Sequence, residues 1–152
     1  DRPCYWKNGT RQTLSSFALA PGQTVTYFTG GIAVSGSGDV YIPGYYYEDD
    51  AEINVPRPCY WRNSSVFELS TGTESIAVAV ALLGSDVYIL GFDDTYTAFF
   101  WKNGQRNTFP FSTAGIDAMG FALIDGSGGE EGNPPETNKS IFSLRRSLYW
   151  QR

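Results

Sequence analysis

Short apolar runs alternate with polar residues along this chain, and Gly, Asn, Ser or Asp closes each one. A period of two marks a strand whose two faces see different surroundings. No segment keeps the 3.6-residue period long enough to predict a helix. The clearest runs come in pairs. Gly31-Ile32-Ala33-Val34 leads through Gly36-Ser37-Gly38 into Asp39-Val40-Tyr41-Ile42-Pro43-Gly44-Tyr45. Ala79-Val80-Ala81-Leu82 leads through Gly84-Ser85 into Asp86-Val87-Tyr88-Ile89-Leu90-Gly91-Phe92. The two copies share one register, apart from a single insertion in the first turn. A third copy opens at Gly120-Phe121-Ala122-Leu123, swells into a long acidic turn, and resumes at Ser140-Ile141-Phe142-Ser143-Leu144. In Ile76-Ala77-Val78-Ala79-Val80-Ala81-Leu82 large residues alternate with Ala, which predicts one large face and one Ala face, both covered.

A second motif follows each pair. Arg57-Pro58-Cys59-Tyr60-Trp61-Arg62-Asn63 nearly repeats Arg2-Pro3-Cys4-Tyr5-Trp6-Lys7-Asn8. Phe99-Phe100-Trp101-Lys102-Asn103 is a third copy, and Leu148-Tyr149-Trp150-Gln151-Arg152 a worn fourth. Every Trp of the protein stands in this motif. Asn8-Gly9 and Asn103-Gly104 predict tight hairpins, because both residues tolerate positive φ. Asn63-Ser64 predicts a looser turn. The unit is then four strands, recurring at roughly 40 to 55 residues, the period of a β-propeller blade. A sandwich or barrel of hairpins is the alternative. The expected fold is all-β and antiparallel: one propeller-like repeat domain over 1–152 with about three four-stranded blades. Residues 1–14 supply strands of a shared blade, 25–69 and 75–111 two complete repeats, and 116–152 an incomplete one.

Repeats of the form Tyr-Trp-Lys-Asn-Gly … Gly-Ser-Asp-Val-Tyr-Ile-x-Gly-Tyr resemble tandem repeats of secreted bacterial proteins that look like β-propellers. The resemblance spans nearly the whole chain. It implies a propeller-like fold and an extracellular or cell-surface place, and it carries no activity. The third copy departs by lacking Asp-Val-Tyr and by its long acidic insertion.

Composition narrows the function. Aromatic residues make up 16% of the chain and favour half-covered strands. The net charge of −5 disfavours electrostatic capture by nucleic acid or anionic lipid. No apolar stretch is long enough for a membrane-spanning helix. A chain beginning at Asp1 is expected to be a processed, secreted one, with a fragment boundary as the alternative. The sequence holds no His, which removes the commonest general base and metal ligand. No phosphate loop, nucleophile elbow or metal-binding cysteine pair is present. A non-catalytic protein without a cofactor is the expectation.

The candidate chemistry is sparse. Cys4 and Cys59 share one motif position and are candidates for a disulfide, with two buried thiols as the alternative. Trp6, Trp61, Trp101 and Trp150 are expected to pack the repeats together. Tyr45, Tyr46 and Tyr47 must point to both faces of a strand, so one of them is a candidate ligand contact. The acidic clusters (Asp49, Asp50 and Glu52; Asp93 and Asp94; Glu130 and Glu131) lack the spacing of a calcium loop. Asn8, Asn63 and Asn138 match the glycosylation pattern, which arises readily by chance. About three blades cannot readily close a ring, and bare apolar edges invite pairing. The expected function is structural: chains that assemble head to tail, as ring or filament, by strand completion. The alternative is a carbohydrate-binding module, with a glycan as partner.

Overall fold

The computed structural model describes residues 2–18, 21–48, 55–69, 74–110, 113, 118–124 and 141–146, the last two stretches by backbone alone. The described elements are strands, all antiparallel. The hairpin of β1 (Cys4–Lys7) and β2 (Thr10–Thr13) comes first. Then β3 (Val25–Thr29), β4 (Ala33–Val34), β5 (Val40–Glu48), β6 (Arg57–Arg62) and β7 (Ser65–Glu68) form one sheet. In it β5 pairs with β6 on one side and with both β3 and β4 on the other. The next sheet is a four-stranded meander of β8 (Ser75–Leu83), β9 (Asp86–Asp93), β10 (Ala98–Lys102) and β11 (Gln105–Thr108). A last pair, β12 (Ala118–Ile124) and β13 (Ile141–Arg146), stays separate. The all-β, antiparallel expectation holds.

The three motif copies that lie within the described residues form the same hairpin. Trp6, Trp61 and Trp101 stand opposite Arg11, Val66 and Arg106. The turn asparagines Asn8, Asn63 and Asn103 all take positive φ, at 50°, 57° and 50°. The middle turn differs from expectation. It keeps the tight register, with Arg62 opposite Ser65, although Ser64 is not a positive-φ residue. The Asn alone carries the left-handed conformation.

Two departures concern the strands nearest the seam between the large sheets. The first repeat does not offer one continuous opening strand. It breaks between β3 and β4, opposite Ile42 and Pro43 of β5. Pro43 has no N–H to give there, so the break costs no ladder bond at that point, and its carbonyl accepts from Gly30 N–H at 2.8 Å. The second departure is a bulge. The register of β8 against β9 shifts between Ala77 and Ala79. Strict alternation therefore fails. Ala77 packs with Ile89, Phe99 and Trp101, whereas Ala79 packs on the other face with Tyr88, Leu90 and Phe92. The extra residue flips the faces, as bulges do. It also turns the Val78 carbonyl toward the neighbouring sheet, where Gly31 N–H donates to it at 3.2 Å. Gly30 lies so near that a Cβ there would overlap the Val78 carbonyl.

The core follows the seams. Leu14, Val40, Ile42, Tyr46, Cys59 and Trp61 form one cluster beneath the N-terminal segment. Leu69, Ala77, Ile89, Phe99 and Trp101 form the corresponding cluster beneath β8 to β10. Leu14 and Leu69 occupy equivalent places, each closing a hairpin and each buried beside the Trp of the following unit. β8 runs along β5 and β6, and also along β12.

Candidate functional site

Each Trp of the large sheets sits in a notch made by a glycine two positions along the neighbouring strand. Trp61 stands opposite Ile42, and Gly44 stands opposite Cys59. Trp101 stands opposite Ile89, and Gly91 opposite Phe99. A Cβ on Gly44 would meet Trp61 Cζ3 at 2.9 Å, and one on Gly91 would meet Trp101 Cη2 at 2.6 Å. Only a bare backbone admits the indole. Both Trp residues are 0% exposed. Burying a Trp removes about 150–250 Å² from water, worth about 4–6 kcal/mol at 25 cal/mol per Å². Trp61 Nε1–H also donates to the Ser15 carbonyl at 2.9 Å, which ties the N-terminal segment to the sheet.

A carboxylate clip locks the other end of the same strand pair. Asp39 Oδ2 lies 2.7 Å from Arg62 Nη2, and Asn63 Nδ2–H donates to Asp39 Oδ1 at 3.0 Å. Asn63 Oδ1 then accepts from Val40 N–H at 3.1 Å, while Asn63 N–H donates to the Val40 carbonyl at 2.7 Å. Asp86 repeats the arrangement. Its Oδ2 lies 2.8 Å from Lys102 Nζ, and Asn103 Nδ2–H donates to its Oδ1 at 2.8 Å. Asn103 Oδ1 accepts from Val87 N–H at 2.9 Å. Hydrogen bonds from Asn63 and Arg62 hold the Asp39 carboxyl below its ordinary range, and those from Lys102 and Asn103 do the same for Asp86. These clips were not among the sequence candidates. Their signal was there: Asp opens the second strand of the unit, and Arg or Lys followed by Asn ends the third, in both complete copies.

The hairpin β1–β2 has the same motif and, among the described residues, lacks the neighbour. Its sheet has two strands only, so β1 is paired on one side. Trp6 is 69% exposed, against 0% for its two counterparts. Contrary to expectation it does not pack the repeats, and among the described residues no glycine-bearing strand lies against it. Trp150 lies outside the described residues. Lys7 and Asn8 are exposed and have no carboxylate partner among the described residues. The Leu14 N–H donates to the Pro3 carbonyl at 2.9 Å. Bonds across an antiparallel pair alternate, so the backbone groups of Cys4 and Trp6 point away from β2, toward the open side.

The cysteines divide the same way. Both are free, Cys4 exposed and Cys59 buried. Within one chain the two do not bridge each other, and only one of them is the buried thiol expected, because among the described residues only Cys59 has a covering strand. Burial pushes the Cys59 thiol far above its ordinary value, and Glu68 adds to this.

The three tyrosines split between faces as period two requires. Tyr46 is buried against Phe17 and Tyr27, its centroid 4.9 Å from that of Phe17. Burial first, then the Glu68 charge, pushes its hydroxyl up to about 12. Tyr45 and Tyr47 are half-buried on the opposite face with Phe28, Tyr45 stacked on Phe28 at 4.9 Å. Tyr45 and Phe28 line a cleft of about 590 Å³, together with Asp93, Asp94 and Tyr96. Tyr96 is 72% exposed. Asp93 is committed within its own turn: burial would raise its carboxyl, but bonds from Thr95 and Thr97 and the Arg106 charge lower it. The clusters at Asp49, Asp50 and Glu52 and at Glu130 and Glu131, and the Asn138 pattern, lie outside the described residues. Among the described residues no three acidic or cysteine side chains gather as a metal site would need. Comparison of the chain with family models, curated proteins and solved structures finds no match.

Proposed function

We propose that this is a non-catalytic extracellular interaction protein whose chains join head to tail by strand completion. The two large sheets are read as propeller-like blades, the first with its opening strand split into β3 and β4, and β12–β13 and β1–β2 as the two halves of one further blade. The hairpin of one molecule adds to the edge of β13 that no described strand covers in the next. The observation behind this is the single contrast at one motif position, where Trp61 and Trp101 are sealed and Trp6 is bare. Covering Trp6 would contribute roughly 3 kcal/mol, from its exposed share of about 200 Å². The outward backbone groups of Cys4 and Trp6 would supply ladder bonds in addition. A head-to-tail contact closes as a ring or continues as a filament according to its rotation.

Sedimentation across protein concentration tests this. The wild-type chain is expected to gain mass in whole-chain steps, and Trp6→Lys to stay single with unchanged circular dichroism. A wild-type chain that stays single at all concentrations overturns the reading. A second reading, carbohydrate binding, is favoured by the exposed Tyr96 and Phe28 beside the cleft. Binding to a glycan array that Tyr96→Ala abolishes would support it.

A further inference from the structure

We infer that the open side of β1 is an acceptor for an extended strand bearing Asp and, five residues later, Gly. The inference rests on the strand-completion reading above and names what completes the hairpin best. In both sheets where the motif is satisfied, the neighbour has this pattern: Asp39 immediately before β5 and Gly44 on it, Asp86 and Gly91 on β9. The Asp serves the cation and the Asn at the turn, and the Gly opens the notch for the indole. β1 presents the matching half. Asn8 already holds the positive φ that Asn63 and Asn103 use to reach their Asp. Lys7 stands where Arg62 and Lys102 stand, and Trp6 waits for a notch. The register follows: an apolar residue opposite Trp6, the Gly opposite Cys4, and the Asp beside Lys7 and Asn8.

Among the described residues the chain's own uncovered edge, that of β13, answers this pattern poorly. Phe121 stands opposite Leu144 as Val80 stands opposite Ile89. Aligned in this way, β13 has Ile141 at the Asp position and Arg146 at the Gly position. A junction between two copies therefore lacks both the clip and the notch. An extended peptide with the Asp and the Gly is the better occupant, and it displaces a neighbouring copy.

The probe is a synthetic peptide of residues 84–93, mixed with the full chain. Cys4 provides the readout, because it lies on the accepting strand and is exposed while Cys59 is buried. The peptide is expected to slow maleimide labelling of Cys4 at least tenfold, to shift Trp6 emission to shorter wavelength, and to lower the sedimenting mass. Peptides with Gly91→Val or Asp86→Ala are expected to need at least tenfold higher concentration. Equal protection by all three peptides overturns the pattern, and no protection by any overturns the acceptor. The two readings fail separately. Chains that associate but ignore the peptide remove this inference and leave self-assembly. Chains that take the peptide but never associate remove self-assembly and leave this inference.

Discussion

Replacing Gly91 by Ala adds one methyl group at the most crowded point of the four-stranded sheet. The new Cβ would overlap Trp101 Cζ3, and would stand 2.6 Å from Cη2 and 2.7 Å from the Ile76 carbonyl. Ordinary contacts begin near 3.4 Å, so something must move by most of an ångström. The indole is fully buried among Leu69, Ala77, Ile89 and Phe99, so it cannot move aside without displacing them. The carbonyl belongs to β8, which is paired along its length with β9. Overpacking of this kind costs about 1–3 kcal/mol, and two immobile obstacles place it at the upper end. The gain from restricting the unfolded chain, about 0.4–1 kcal/mol, offsets part of this. A net loss of about 2 kcal/mol corresponds to a fall in Tm of about 4–8 °C for a chain of this size. Gly36→Ala is the control, since nothing lies within 4 Å of its Cβ and its φ is not positive. It should stay within about 0.5 kcal/mol of wild type. Thermal unfolding followed by circular dichroism compares the two. A Gly91→Ala protein as stable as Gly36→Ala would refute the notch. The double variant Gly91→Ala, Trp101→Leu should lose less than the sum of its single changes, because the smaller side chain relieves the overlap.

Three further outcomes follow from the same geometry. Trp61→Ala should cost about 3–5 kcal/mol in urea unfolding, whereas Trp6→Ala should stay within about 0.5 kcal/mol in the single chain; equal costs would contradict the contrast in burial. Maleimide should modify Cys4 in the native protein and reach Cys59 only on unfolding, and native labelling of both at similar rates would contradict the burial of Cys59. The native carboxyls of Asp39 and Asp86 titrate below the ordinary 3.8, so their contribution is complete above that value and is lost as pH falls through the lowered native range. Urea midpoints measured downward from neutral pH should fall there, and less so in Asp39→Asn, Asp86→Asn; identical acid limbs would dismiss the clips.

Much of the fold could be read from local pattern. Period-two runs and Asn-Gly turns identify strands and hairpins because pleat geometry and positive φ are properties of a few neighbouring residues. The same alternation placed Tyr46 opposite in facing to Tyr45 and Tyr47. It failed at Val78, where a bulge changes the count by one, and at Pro43, where the break in the neighbouring strand is not written in β5 itself. The reason is that both depend on the adjoining sheet. The candidate site was less legible. The motif containing Trp6, Trp61 and Trp101 reads nearly alike in all three copies, and Cys4 reads like Cys59.

By itself, then, the order of residues determined that the chain makes antiparallel strands, where they turn, and which side chains could share a face. Only the tertiary structure decided which copy of the motif is satisfied. Burial is a property of the neighbouring strand: where Gly44 or Gly91 arrives the indole disappears from water, and beside β1 no described strand arrives. Identical residues therefore become a core position twice and an open edge once.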